Sequence, residues 1–259
     1  MRIRAASAVL LLVAACSGDG DDATRRATRS DRTLATTTTT SPTTTLPPPS
    51  TTTTPPPLAF PPQEFVVGNV TRAAASITFD CGSSAVPTPE ILEVLRRERI
   101  RTTFFLTGAW ADQNPELAKQ IAAEHEIANH TYAHGDLTNM SDAQVLDEMQ
   151  RGEAAIVAAT GQGTKPLWRA PYGARNPRML QLIAEAGWPY HIFWTTDALD
   201  WMPIEPERVR ANMVRGAVNG GIVLAHCGSP QTAEILATVV ADFRARGLTL
   251  TTVTEVLRA

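Results

Sequence analysis

Asp80, His130, His134, Arg169, Asp197, Asp200 and His226 are the side chains of this sequence whose types suit proton transfer, charge pairing or metal binding. A carboxylate and an imidazole can divide the work of general base and general acid near neutral pH. His130 and His134 are four residues apart, and one helical turn at that spacing brings both rings to one side, as zinc sites often require. A metal held by two imidazoles and an acid, with positions left for water and substrate, can polarise an amide carbonyl and lower the pKa of bound water. Each residue also has a plain reading. An Asp after a strand commonly caps a turn, and a lone buried His is more often a satisfied core residue than a ligand.

The elements that must carry these residues follow from the apolar pattern. Short apolar, β-branched or aromatic runs alternate with helical patterns from Ser76 onward, which argues for an α/β fold of parallel strands joined by crossover helices. Strands are expected at 76–80, 102–107, 126–129, 167–169, 191–195, 222–226 and 248–253. Thr88-Pro89-Glu90 reads as a cap followed by Pro at the first helical position, and Ser141 opens a helix reaching about Ala159. Asn176-Pro177 opens another that stops at Gly187, and two more are expected at about 205–218 and 232–246. About seven parallel strands fit an incomplete, distorted (β/α) barrel. Asp80, His130, Arg169, Asp197 and His226 then all stand at or just after the C-terminal end of a strand, where parallel α/β folds place their active sites.

The N-terminal part has a different character. Arg2 and Arg4 precede an apolar run from Ala5 to Ala15 that is shorter than the roughly 20 residues of a membrane-spanning helix, so residues 1–16 read as an export signal. Val13-Ala14-Ala15-Cys16 resembles a lipobox, with Cys16 as the acylated mature N-terminus; the alternative is a plain secretory signal. Residues 17–64 are rich in Thr, Pro and Ser and cannot bury enough apolar surface to order, so they read as a linker. At about 3.1 Å per residue such a linker reaches on the order of 100 Å. Residues 65–259 suffice for one catalytic domain. A net charge of −3 gives no basic footprint for nucleic acid.

Five motifs occur in order: Thr78-Phe79-Asp80-Cys81-Gly82, His130-Thr131-Tyr132-Ala133-His134, Arg169-Ala170-Pro171-Tyr172-Gly173, Asp197-Ala198-Leu199-Asp200-Trp201 and Leu224-Ala225-His226. Together they resemble the polysaccharide deacetylases of carbohydrate esterase family 4, the NodB-homology proteins, from about Ala74 to the C-terminus. The resemblance implies a metal-dependent hydrolase that removes N-acetyl groups from a cell-envelope polysaccharide, peptidoglycan or a chitin-like glycan. It implies Asp80 as catalytic base, His226 as general acid, and Arg169 as the residue that orients the base. It implies a divalent metal, zinc by default, on His130 and His134. The Tyr172 backbone N–H would join in stabilising the oxyanion, and Trp201 and Leu224 would wall the acetyl pocket. Asp200 is the expected carboxylate that holds His226 and keeps it charged.

One position departs from the family pattern. The first motif usually has two consecutive acids, the second a metal ligand, and here that second position is Cys81. A thiolate can replace the oxygen ligand. Alternatively Cys81 bonds to Cys227, since both follow a proposed catalytic residue and an exported protein meets oxidising conditions. Two other functions stay open on the same residues, a carbohydrate-binding pseudoenzyme and an O-acetyl esterase. The expected form is a monomer on the extracellular face of the cell membrane, lipid-anchored or secreted, whose partner is an acetylated surface glycan.

Overall fold

The structure, a computed structural model, describes residues 61–258. The expected signal segment with Cys16, and all but the last four residues of the expected linker, lie outside them.

The chain runs β1 (Gln63–Phe65), β2 (Ala74–Cys81), α1 (Thr88–Arg97), β3 (Thr103–Leu106), α2 (Gly108–Gln113), α3 (Pro115–Glu124), β4 (Glu126–Asn129) and α4 (Asp142–Thr160). It continues through β5 (Leu167–Trp168), α5 (Pro177–Glu185), β6 (Tyr190–Ile192), β7 (Thr196–Asp197), α6 (Pro206–Arg215), β8 (Ile222–His226), α7 (Pro230–Ala245), β9 (Thr249–Leu250) and α8 (Val253–Leu257). Among the described residues nine strands form one sheet in the order β1-β6-β5-β4-β3-β2-β8-β7, with β9 added beside β2. Every pairing is parallel. Because β1 and β7 end the path, the barrel is open, as expected.

The pleat of β2 explains what it carries. All eight of its residues are buried, so both faces are covered, as is usual in parallel sheets. Ala75, Ile77, Phe79 and Cys81 point one way and join a core with α1, α3 and α7 that includes Ile91, Ile121 and Leu236. Phe79 stacks on Phe104 at 4.9 Å between ring centroids; full burial of such a side chain contributes about 1.5–3 kcal/mol. Ser76, Thr78 and Asp80 point the other way and find polar partners: Thr78 Oγ1 donates to Val223 O at 2.7 Å. A second core of strand residues, including Phe105, Ala128, Leu167, Ile192 and Ile222, fills the barrel interior.

Several elements differ from expectation. Gln63 and Glu64, placed in the linker, belong to β1, so the domain begins before Phe65. A three-residue edge strand is too short to show an alternating pattern. Thr88 does not cap α1; Pro87 is the cap residue, and Thr88 Oγ1 donates to Cys227 O at 3.2 Å. The expected strand at 248–253 holds only β9 before Val253 enters α8 under a Thr252 cap. Ser141 and Asn176 do cap α4 and α5 with their side chains.

Candidate active site

Asp80 ends its strand beside Arg169. An Nη1 of the guanidinium donates to Asp80 Oδ1 at 2.6 Å and to Thr78 Oγ1 at 2.9 Å. The rest of Arg169, fully buried, donates to the carbonyls of Ile192 and Phe193 at 3.0 and 3.2 Å and lies 3.9 Å over the Phe105 ring. Burial alone would push the Asp80 carboxyl up, but the charges of Arg169, His130 and His226 outweigh it and hold the pKa below the ordinary carboxylate value. Asp80 is therefore an ionised acceptor with one oxygen, Oδ2, left for other work.

His226 ends β8, and its Cα pairs in register with that of Asp80. Its Nδ1 lies 2.7 Å from Asp200 Oδ1. The other oxygen of Asp200 accepts the His226 backbone N–H at 2.9 Å and the Thr232 hydroxyl at 2.5 Å. Burial pulls the imidazole pKa down, yet the hydrogen bond and charge of Asp200, with Asp80 and Asp197 behind, leave it above the ordinary histidine value. Asp200, not Asp197, is the carboxylate in contact. Asp197 caps its own turn, accepting the Leu199 N–H at 2.7 Å.

His130 and His134 do come together, with ring centroids 4.8 Å apart, but not on a helical turn. The segment is a bend after β4 in which Thr131 and His134 take positive φ of 68° and 60° and reverse the chain. Two buried groups hold this bend. Asn129 Oδ1 accepts the Thr131 N–H at 2.8 Å, and Glu148 Oε2 accepts the N–H groups of Tyr132 and Ala133 at 3.1 and 2.8 Å. His130 Nδ1 donates to Arg169 O at 2.9 Å, leaving Nε2 bare and 3.5 Å from Asp80 Oδ2. Burial first, and then the neighbouring His130, lower the His134 pKa to about 4, so its imidazole is neutral and able to act as a donor at neutral pH.

Cys81 is not beside them. It is joined to Cys227 in a disulfide with Cα atoms 5.3 Å apart, and both side chains are buried in the helix-facing core. The thiolate ligand considered for Cys81 is excluded on two grounds: its sulfur is bonded, and the pleat turns it away from Asp80. Catalytic zinc sites hold the metal by three protein ligands. Among the described residues no three His, Cys, Asp or Glu side chains gather into such a site. The two imidazoles here are one strong donor short, and the residues present do not fit a family-type metal centre.

Asp80, His130, His134, Tyr172, Asp200, Trp201, Leu224 and His226 line one cavity of about 900 Å³ at the C-terminal ends of the strands. Among the described residues, neither Lys nor Arg is in its wall. Tyr172 and Trp201 are exposed at 72% and 62% at the rim, and the Tyr172 ring packs edge-on against His134 with centroids 4.7 Å apart. Tyr172 is held at φ 59°, ψ 4°, a left-handed conformation that costs a non-glycine residue about 1–3 kcal/mol and clusters at functional sites. Sequence reading missed Glu148 and Asn129, which shape the histidine bend. A signal existed for Glu148: it lies among Val145, Met149, Gly152 and Ile156, a lone charge on the buried stripe of α4.

An open, parallel, distorted (β/α) barrel is the fold of the solved structures of carbohydrate esterase family 4. The chain belongs to the polysaccharide deacetylase family, whose model matches residues 68–191. It is 36% identical over 159 residues to a chitooligosaccharide deacetylase of Bradyrhizobium sp. (strain ANU 289), covering 61% of this chain and 72% of that protein. It is 33% identical over 186 residues to the peptidoglycan-N-acetylglucosamine deacetylase PgdA of Listeria monocytogenes, covering 71% of this chain but only 39% of that one. The solved structure of a CE4 family pseudoenzyme from Bacillus anthracis matches with a TM-score of 0.72 at 29% identity, covering 76% of this chain and 69% of that one.

Proposed function

We propose that this chain is an exported hydrolase that removes N-acetyl groups from a polysaccharide of the cell envelope, peptidoglycan or a chitin-like glycan. The observation that carries the reading is the pairing of Asp80–Arg169 and His226–Asp200 across one cavity. Asp80 takes a proton from water as its oxygen bonds to the acetyl carbon. His226 gives a proton to the departing nitrogen, which leaves poorly as an unprotonated amine, so acetate and a free amino sugar result. The Tyr172 backbone N–H steadies the carbonyl oxygen as charge develops there. Arg169 and Asp200 keep the base ionised and the acid charged. Trp201, Leu224 and the exposed Tyr172 ring give the sugar and its acetyl methyl apolar walls. A cavity wall with carboxylates and, among the described residues, no Lys or Arg favours an uncharged sugar over one bearing a carboxylate.

Export and anchoring through Cys16 are part of the proposal, supported by the sequence from Arg2 to Cys16. Cys16→Ala should release the protein from membranes or leave it unprocessed, and a wild-type protein free of lipid by mass spectrometry would end that part. A second reading, glycan binding without turnover, is favoured by one observation, the donor set that falls a ligand short. It also agrees with the pseudoenzyme among the related folds. Acetate release from a panel of N- and O-acetylated glycans, with and without added divalent metal, separates the readings. Release from N-acetylated polymers supports the hydrolase, whereas retained binding without release under every condition supports the binder.

A further inference from the structure

The turn that carries Tyr172 is gripped at both ends by groups that converge on one residue far away in the chain. At its start, the Ala170 N–H donates to His191 Nε2 at 3.3 Å. Since that hydrogen points at Nε2, the ring proton sits on Nδ1, which lies 2.9 Å from Glu64 Oε2. At the other end, Arg175 Nη1 donates to Gly173 O at 3.0 Å. The same guanidinium bonds Glu64 through Nε and, at 3.1 Å, through Nη2. The 3-10 turn itself closes with Gly173 N–H to Ala170 O and Ala174 N–H to Pro171 O, neither of which uses the Tyr172 N–H.

The surroundings leave this assembly little freedom. His191 is buried, and burial first of all lowers its pKa to about 4, so it stays neutral and keeps a bare Nε2 for Ala170. Arg175 lies 4.0 Å over the Phe193 ring. A Cβ on Gly173 would come within 2.8 Å of both Phe193 and Trp194, so the turn is seated closely against that aromatic pair. Glu64 belongs to the edge strand β1, where it pairs in register with His191.

We infer that Glu64 is a positioning residue of the site: through His191 and Arg175 it clamps both ends of the Ala170–Gly173 turn and fixes Tyr172 in its left-handed conformation on the cavity wall. The inference rests on the reading of the Tyr172 N–H as the group that steadies the acetyl oxygen. Displacing such a donor by a fraction of an ångström weakens the transition state more than the bound substrate, so the effect belongs in kcat. Glu64→Ala should lower kcat by about tenfold or more while KM stays within about twofold. Glu64→Gln, whose amide oxygen still accepts the His191 Nδ1–H, should recover most of that loss. A readout independent of turnover is hydrogen exchange at the Ala170 amide: faster in Glu64→Ala, near wild type in Glu64→Gln, and faster again in His191→Phe, which keeps the ring volume but removes the acceptor. Wild-type kcat and wild-type Ala170 exchange in Glu64→Ala would overturn the inference. So would a rise in exchange spread evenly over the domain, which would make Glu64 a general stabiliser. If the wild-type protein releases no acetate, the deacetylase reading fails, while Ala170 exchange still decides the clamp.

Discussion

Asp80 and His226 are Cα partners in the parallel pairing of β2 with β8, and one residue further the Cys81–Cys227 disulfide joins the same two strands. The proposed base and acid thus face the cavity while the covalent link lies on the opposite face of the pleat, in the helix-side core. A bridge beneath the site holds their register without occupying the space where substrate binds.

Asp80→Asn and His226→Ala should each lower acetate release by about 10² to 10⁴, the usual worth of one proton-transfer role. Both should also lose stability, because Asp80→Asn leaves the buried Arg169 charge without its partner and His226→Ala leaves the buried Asp200 carboxylate without its imidazole, each a loss of about 3–5 kcal/mol. Paired measurements of turnover and thermal unfolding check both; near-normal release by either variant would remove the mechanism.

The pH profile should report the Asp200–His226 pair. Because Asp200 raises the His226 pKa, the protonated acid persists above the ordinary histidine range and activity falls only as pH rises through that raised value. Asp200→Asn removes the charge, so the alkaline limb of kcat should move to lower pH while the acid limb stays. An unmoved alkaline limb would argue against His226 as the acid.

The disulfide makes a prediction about thiols and metal together. Alkylation and peptide mapping of unfolded, unreduced protein should find no free thiol at Cys81 or Cys227, and reductant should expose both. After reduction, added zinc should not protect Cys81 from alkylation, because its side chain faces α1 and α7 and not the histidines. A Cys81→Ala, Cys227→Ala double variant should lose about 2–5 kcal/mol of stability, since the closed loop is long.

Acid should weaken the fold through its buried histidines. Burial lowers the His125 and His191 pKa values to about 4, against an ordinary 6.5 in the unfolded chain. Between those values the unfolded state binds more protons, so stability rises with pH there and is lost as pH falls from about 6.5 towards 4. The melting temperature should drop across that window, and His125→Phe should flatten the drop.

Much of the site was legible because its residues sit at strand ends, and strand ends can be read from apolar runs bounded by breaks. Asp80 after Ile77-Thr78-Phe79 and His226 after Val223-Leu224-Ala225 needed only that pattern and the rule that parallel strands present chemistry at their C-terminal edge. The caps Ser141 and Asn176 were equally local, since a side chain bonding its own first helical turn involves no distant partner. What tertiary structure alone decided involves parity or distance. Whether Cys81 meets the histidines or the helices depends on the strand continuing through it, and one residue of pleat reverses the answer. The histidine pair needed a left-handed bend that the i, i+4 spacing does not announce, and the bend needed Glu148 from a helix packed later in the chain. Glu64 and His191 are 127 residues apart in sequence and adjacent in the sheet. No local pattern marks such a pair, because its register is set by how β1 closes on β6, and only the assembled barrel brings those strands together.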